Sequence, residues 1–314
     1  MEMLPQGLWP VMLTPFRPDN TVDVDGLAAL TEFYLTAGAD GLFANCLSSE
    51  MFQLTEHERL LVTRTVLETV DGRVPVVATG SFGTDTAYTA AFAGKLHQLG
   101  VAAVVISTSE ICDELHDLET FRDRVQHLLE ITGDIPLGLY ECPVPFKRLL
   151  PPDLLGWLAH TGRFLYHKDT SCDIAQLRQK IEAVRGTPLG VYNAHVPTAL
   201  DSLLAGARGI SPIGANLYPE LFRLLVDLMN EGRREDELRV LTDSLDLMDS
   251  VIHHNYPYLA KRFLQRRGLP ISPACRVPRL RLSHHDLHKL ETIMATCQQL
   301  ARRFSTEASS SPQS

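Results

Sequence analysis

The sequence predicts a (β/α)8 barrel of the TIM-barrel class with a C-terminal helical extension, and three observations carry that expectation. Short apolar runs alternate with helical patterns eight times between the N-terminus and about residue 218, the rhythm of a barrel domain. The runs are almost continuously apolar, as in parallel strands covered on both faces. A doubly wound sheet would carry a glycine-rich phosphate turn after its first strand. Here that position reads Thr14-Pro15-Phe16.

The elements follow in order. Residues 8–13 form the first strand, with a helix over 25–37. The second strand, 41–44, is backed by a helix over 56–70, for which Thr55 is a suitable N-cap ahead of Glu56 and Glu58. The third strand, 74–79, precedes an Ala- and Thr-rich helix over 85–99, and the fourth, 102–106, a helix over 118–132. The fifth and sixth strands end at Tyr140 and Lys168. Residues 189–192 and 209–213 supply the seventh and eighth. Asp71-Gly72, Gly133, Gly186, Gly206 and Gly209 punctuate the boundaries. From Pro219 the strands stop. Helical patterns over 220–230, 235–251 and 258–267 are followed by a Pro-rich connector, 269–282, and a last helix over 283–304 with Ser283 as N-cap and Asp286 in its first turn. The expected organisation is a barrel over 1–218, an extension over 219–304 packed on its flank, and a disordered Ser-rich tail over 305–314.

Composition narrows the function. The chain has 314 residues, 45% of them hydrophobic, enough for a large core, and its net charge of -9 disfavours nucleic acid and anionic membranes as partners. The basic cluster Lys261-Arg262 with Arg266-Arg267 lies in helical sequence and reads as a solvated or subunit-facing surface. None of the six cysteines forms a CxxC pair, so no zinc or iron–sulfur site is expected. Cys46, Cys142 and Cys172 flank strand exits and read as small packing residues, with contact to the pocket as the alternative. With no secretory signal and no membrane-length apolar run, the expectation is reduced thiols in a cytoplasmic protein.

In a barrel the strand ends carry the active site. That ring contains Thr14, the loop 45–50, Ser107, Tyr140, Lys168, Asn193 and Ser211, with one lysine among them. A lysine buried at a strand exit can lose its proton near neutral pH and attack a ketone carbon. A neighbouring tyrosine can carry the protons that imine formation moves.

Five segments in order resemble the dihydrodipicolinate synthase/N-acetylneuraminate lyase family of pyruvate-type class I aldolases, over about residues 7–282. They are Thr14-Pro15-Phe16, the loop Asn45 to Glu50, Tyr140-Glu141-Cys142-Pro143, Lys168-Asp169-Thr170-Ser171, and Ala205-Gly206-Ala207-Arg208-Gly209-Ile210-Ser211. The resemblance implies that Lys168 forms a Schiff base with a 2-keto acid and that Tyr140 relays protons. It implies that the hydroxyls and amides of Ser48 and Ser49 hold the substrate carboxylate, with the Ile210 backbone on the other side. No metal, nucleotide or flavin is called for, and a homotetramer or homodimer is implied. The sequence also departs from the family. Leu47 stands where the family has its first loop hydroxyl, and Ser49 where it has glycine. Ser107-Thr108-Ser109-Glu110 lacks the tyrosine pair of the synthases, and Pro145 replaces their carboxylate-binding arginine, with Arg148 three residues on. A 2-keto-3-deoxy sugar acid therefore suits the chain better than the lysine-pathway substrate; Glu110, His167 and His195 read first as ordinary polar packing, with contact to its distal part as the alternative. The expected activity is a lyase that makes or breaks a C–C bond with pyruvate as product or substrate. The alternatives are a dehydratase using the same imine, and a non-catalytic barrel that binds a small acid.

Overall fold

The protein, seen here in a computed structural model, is described over residues 2–233, 235–253, 255–278 and 283–308. Eight parallel strands run in sequence order: β1 (Gly7–Leu8), β2 (Leu42–Ala44), β3 (Val76–Thr79), β4 (Ala103–Ser107), β5 (Leu137–Tyr140), β6 (Phe164–Asp169), β7 (Gly190–Asn193) and β8 (Gly209–Ile210). β1 pairs with β8. A parallel bridge between Val11 and Phe43 closes the other seam, so the sheet is a barrel.

β1 and β8 are shorter than the runs that announced them. Pro10 has no N–H to give to a ladder, and after Trp9 donates to the Ile210 carbonyl at 2.9 Å the chain passes to bonds with Phe43 on the other side. Pro212 ends β8 in the same way. The two strands approach closely at Gly209, where a Cβ would lie 2.1 Å from the Gly7 carbonyl.

Seven helices alternate with the strands: α1 (Val24–Thr36), α2 (Glu56–Val70), α3 (Thr86–Leu99), α4 (Leu118–Ile131), α5 (Pro152–His160), α6 (Ile174–Ala183) and α7 (Ala199–Leu204). Thr55 caps α2 as expected, in a reciprocal box with Glu58. The strands have two apolar faces. The outer one packs under the helices through Leu137, Leu139, Phe164 and Val191, while Trp9, Phe43, Tyr166 and Tyr192 fill the barrel's interior. Tyr166 and Tyr192 stack at 4.5 Å with Trp9 against both. This aromatic floor leaves the strand C-terminal ends as the place for a cavity.

The helix after β8 is α8 (Pro219–Asn230), which lies against β1 and completes the alternation. A boundary at residue 218 therefore separates β8 from its own helix. The extension proper is α9 (Glu235–His253), α10 (Tyr258–Arg266) and α11 (His284–Ala308). Ser283 caps α11 as its sequence suggests, exchanging bonds with Asp286. That helix runs four residues past 304, into the stretch expected to be a disordered tail, and residues 309–314 of the tail lie outside the described residues. No helix among the described residues is long and apolar enough to cross a membrane.

Candidate active site

Lys168 owes its direction to an irregularity in β6. Leu137 pairs with Phe164, but Gly138 pairs with Tyr166, so Leu165 is an extra residue between them. Side chains alternate along a strand, and one inserted residue reverses the alternation beyond it. Phe164 therefore faces the helices while Tyr166 and Lys168 face the barrel interior. Glycine at 138 permits this, because a Cβ there would come within 3.1 Å of both Tyr166 and Val105.

Tyr140 is the direct neighbour of Lys168 across the β5–β6 ladder. The Lys168 ammonium lies 4.7 Å from the centre of the Tyr140 ring and 5.9 Å from that of Phe43. Both residues are 3% exposed. Burial lowers the Lys168 pKa from its ordinary value, against an opposing effect of the Cys46 and Cys142 thiols. Burial likewise raises the Tyr140 phenol well above its usual range, with Cys142 and Cys46 adding to it. The outcome is an amine that gives up its proton readily beside a phenol that keeps its own. Cys142 is pushed up to about 11, mainly by burial, and stays a neutral thiol, consistent with a packing role.

These groups open into a cavity of about 390 Å³ at the strand ends, bounded on the barrel side by Leu47, Ser48, Tyr140 and Lys168. The distal wall has Lys147, Thr170 and His195 from the barrel loops. Asp249, His253 and Tyr256 enter from the extension. Burial lowers the His195 pKa. The Asp249 carboxylate, 3.3 Å from the His253 ring, raises that of His253.

The other residues singled out from the sequence are placed differently. The Ser49 hydroxyl donates to the Met12 carbonyl at 2.6 Å and its N–H to the Cys46 carbonyl, so both of its donors are already engaged. Ile210 is fully buried in β8, its carbonyl receiving the Trp9 N–H. Arg148 spends its guanidinium on the backbone carbonyls of Asp113, Glu114 and His116, and Lys147 reaches the cavity in its place. Glu110 faces the helix side, accepting the Gly83 N–H.

His167 points away from the cavity for the reason that Lys168 points into it. On the outer face it meets Glu141 and Asp169, the three forming one compact group with metal-ligand potential. The Lys180 ammonium fills that position, 2.5 Å from Glu141 and 2.6 Å from Asp169. Burial alone would raise the Asp169 pKa, but His167 and Lys180 outweigh it and hold the carboxyl well below the usual range.

Glu50 is a clamp. Its fully buried carboxylate meets the Lys261 ammonium of α10 at 2.6 Å and accepts the N–H groups of Arg276 and Val277 at 2.6 and 2.8 Å. The loop that carries Ser48 is thereby tied to the C-terminal extension.

Sequence reasoning misses Tyr256, Asp249 and His253. They lie more than 80 residues after Lys168, within or beside amphipathic helices whose pattern reports only packing. Their one signal is polarity near the end of α9.

The sequence pattern of the dihydrodipicolinate synthetase family matches residues 4–297. A 4-hydroxy-tetrahydrodipicolinate synthase of Legionella pneumophila is 27% identical over 283 residues, covering 90% of this chain and 95% of that protein. One from Methanosphaerula palustris is 26% identical, covering 93% and 99%. Among solved structures, YagE, a prophage protein of the dihydrodipicolinic acid synthase family from E. coli K12 in complex with pyruvate, superposes with a TM-score of 0.83. It is 25% identical, and the match covers 94% of this chain and 98% of YagE.

Proposed function

The chain belongs to the dihydrodipicolinate synthetase family, and from that premise we propose that it is a lyase that joins Lys168 to a 2-keto acid as a Schiff base and makes or breaks a C–C bond with pyruvate as one partner. The observation that carries this reading is the buried Lys168 amine, its pKa lowered, facing a polar cavity beside the Tyr140 phenol. The pyruvate held by YagE supports a small keto acid as the ligand class.

In this account the neutral Lys168 amine attacks the C2 carbonyl, and Tyr140 moves a proton from the nitrogen to the oxygen to give a carbinolamine. Loss of water gives an iminium ion. Its positive nitrogen accepts the electron pair when the C3–C4 bond breaks; the C4 hydroxyl gives up its proton and departs as an aldehyde carbonyl, and the enamine left behind is protonated at C3 and hydrolysed to pyruvate. The Ser48 backbone N–H serves the substrate carboxylate, a charge-assisted bond. Ser49 has no free donor for that role. Lys147, Thr170, His195 and Asp249 offer both donors and acceptors to the distal part, which suits a hydroxylated chain such as a 2-keto-3-deoxy sugar acid.

A panel of such acids, assayed for free pyruvate with Lys168→Ala as control, tests the proposal. Pyruvate release that depends on Lys168 supports the lyase. Turnover without pyruvate identifies a dehydratase on the same imine, and binding without turnover identifies a small-acid-binding barrel. We also propose a homodimer or homotetramer. The exposed Leu204 of α7 and Val240 and Leu247 of α9 support a protein-facing surface, and light scattering on the purified chain measures the state directly.

A further inference from the structure

The loop after β2 places Leu47 on the cavity wall, and a leucine cannot pass a proton. A hydroxyl reaches the same cavity from the opposite end of the sequence. Tyr256, between α9 and α10, lines the cavity with Ser48, Tyr140 and Lys168, and its phenol lies beside the Ser48 side chain.

The orientation of the phenol follows from the groups behind it. Asn216 Nδ2 donates to the Val11 carbonyl at 2.8 Å, and a carbonyl can only accept. That fixes the amide, whose Oδ1 takes the Tyr34 hydroxyl proton. The second Nδ2 hydrogen points at the Tyr256 oxygen, 2.7 Å away. The Tyr256 oxygen therefore accepts from Asn216, which leaves the phenol proton free for the Ser48 hydroxyl beside it. Ser48 itself lines the cavity, so its hydroxyl is placed to pass a proton on to a bound substrate. Tyr34 and Asn216 are fully buried, so the bonds that hold the Tyr256 oxygen are preorganised and isolated from bulk water on that side.

We propose that Tyr256 and Ser48 form the proton relay that serves the Lys168 intermediate, with the C-terminal extension supplying the hydroxyl that Leu47 lacks. The proposal rests on the Schiff-base reading above. Tyr140 carries out the internal proton shift that forms the carbinolamine. Dehydration then needs one further proton. Ser48 gives it to the departing hydroxyl, which leaves as water, and takes the Tyr256 proton in exchange. The resulting phenolate, supported by the Asn216 N–H, balances the iminium charge. Loss of a C3 proton from the iminium forms the enamine and returns a proton through Ser48 to Tyr256. Over the two steps the relay is restored.

The test needs no knowledge of the natural substrate. Enzymatic exchange of pyruvate C3 hydrogens for deuterium is followed by NMR in D2O, with borohydride trapping on Lys168 in parallel. In Y256F the ring still fills its space. The expected result is an undiminished Lys168 adduct after long incubation and exchange slowed on the order of 100-fold. S48A is expected to slow exchange similarly, and the double variant to be no slower than S48A. 3-Fluorotyrosine at position 256, nearly isosteric and more acidic, is expected to move the pH profile of exchange to lower pH, which a purely structural role would not do. This variant decides the matter if Y256F does not fold. An adduct in the parent without exchange, unchanged exchange in folded Y256F, additive losses in the double variant, or an unmoved pH profile overturns the relay alone. No adduct in the parent sinks the Schiff-base reading and the relay with it.

Discussion

Replacing Lys261 with methionine should unfasten the loop that carries Ser48. The Lys261 and Glu50 side chains are both fully buried, with 2.6 Å between ammonium and carboxylate. Removing one partner of such a pair costs about 3–5 kcal/mol, because the other is left charged and buried. Glu50 keeps the Arg276 and Val277 amides, which favours the lower end, while the bond from Lys261 to the Ala274 carbonyl at 2.8 Å is also lost, adding about 1 kcal/mol. A total of about 4 kcal/mol follows. For a chain of 314 residues, an unfolding entropy of about 2.1 cal/mol/K per residue makes this a fall of about 6 °C in melting temperature. Calorimetry on the parent, Lys261→Met, Glu50→Gln and the double variant gives the coupling. The double variant is expected to cost at least about 2 kcal/mol less than the sum of the singles. The affinity for pyruvate, read from the concentration dependence of trapping, should weaken in Lys261→Met because Ser48 is two residues from the clamp. Additive singles, or a melting temperature within about 1 °C of the parent, would refute the reasoning.

Three further outcomes are expected. The rate of Lys168 trapping should rise with pH and level off below 10.5, the ordinary lysine value, because burial lowers this group's pKa. Stability should also rise with pH between the lowered value and 10.5, since the unfolded chain binds the extra proton there, and Lys168→Ala should abolish that rise. In histidine NMR titrations His253, whose pKa the bond to Asp249 raises, should titrate above 6.5, and His195, lowered by burial, below it. The stabilising Asp249–His253 contact is complete below 6.5 and is lost as pH passes the folded His253 value, and Asp249→Asn should bring His253 back towards 6.5. Lys180→Met should destabilise by about 3–5 kcal/mol in thermal or urea melts, leaving two buried carboxylates together. The contribution of Asp169, present above its unfolded pKa of 3.8 and lost as pH falls from there through the lowered folded value, should shrink in that variant, so acid costs it less stability than it costs the parent.

The barrel is legible in the sequence because parallel strands buried on both faces must be apolar throughout, and the breaks between them are marked by glycine and proline. Lys168 is legible for the converse reason: a cation two residues after the apolar run Phe164-Leu165-Tyr166, at a strand exit, has no packing purpose. Strand alternation also decides against His167 as a substrate contact, since the neighbour of an inward lysine must face outward. The phase of that alternation depends on the extra residue at Leu165, which nothing in the local composition reveals. Glu50 fits the register of the loop motif, yet its partner Lys261 lies 211 positions away inside what reads as a solvated basic patch. Tyr256, Asp249 and His253 reach the cavity only because the extension folds back over the barrel mouth, a tertiary arrangement without a local signature.

The central claim is that Lys168 forms an imine with a 2-keto acid. Borohydride reduction in the presence of pyruvate, followed by peptide mass spectrometry, tests it most directly. The account predicts one reduced adduct, on Lys168, absent from Lys168→Ala. A folded protein that yields no adduct with pyruvate or any acid of the panel, or an adduct on another lysine, would contradict it.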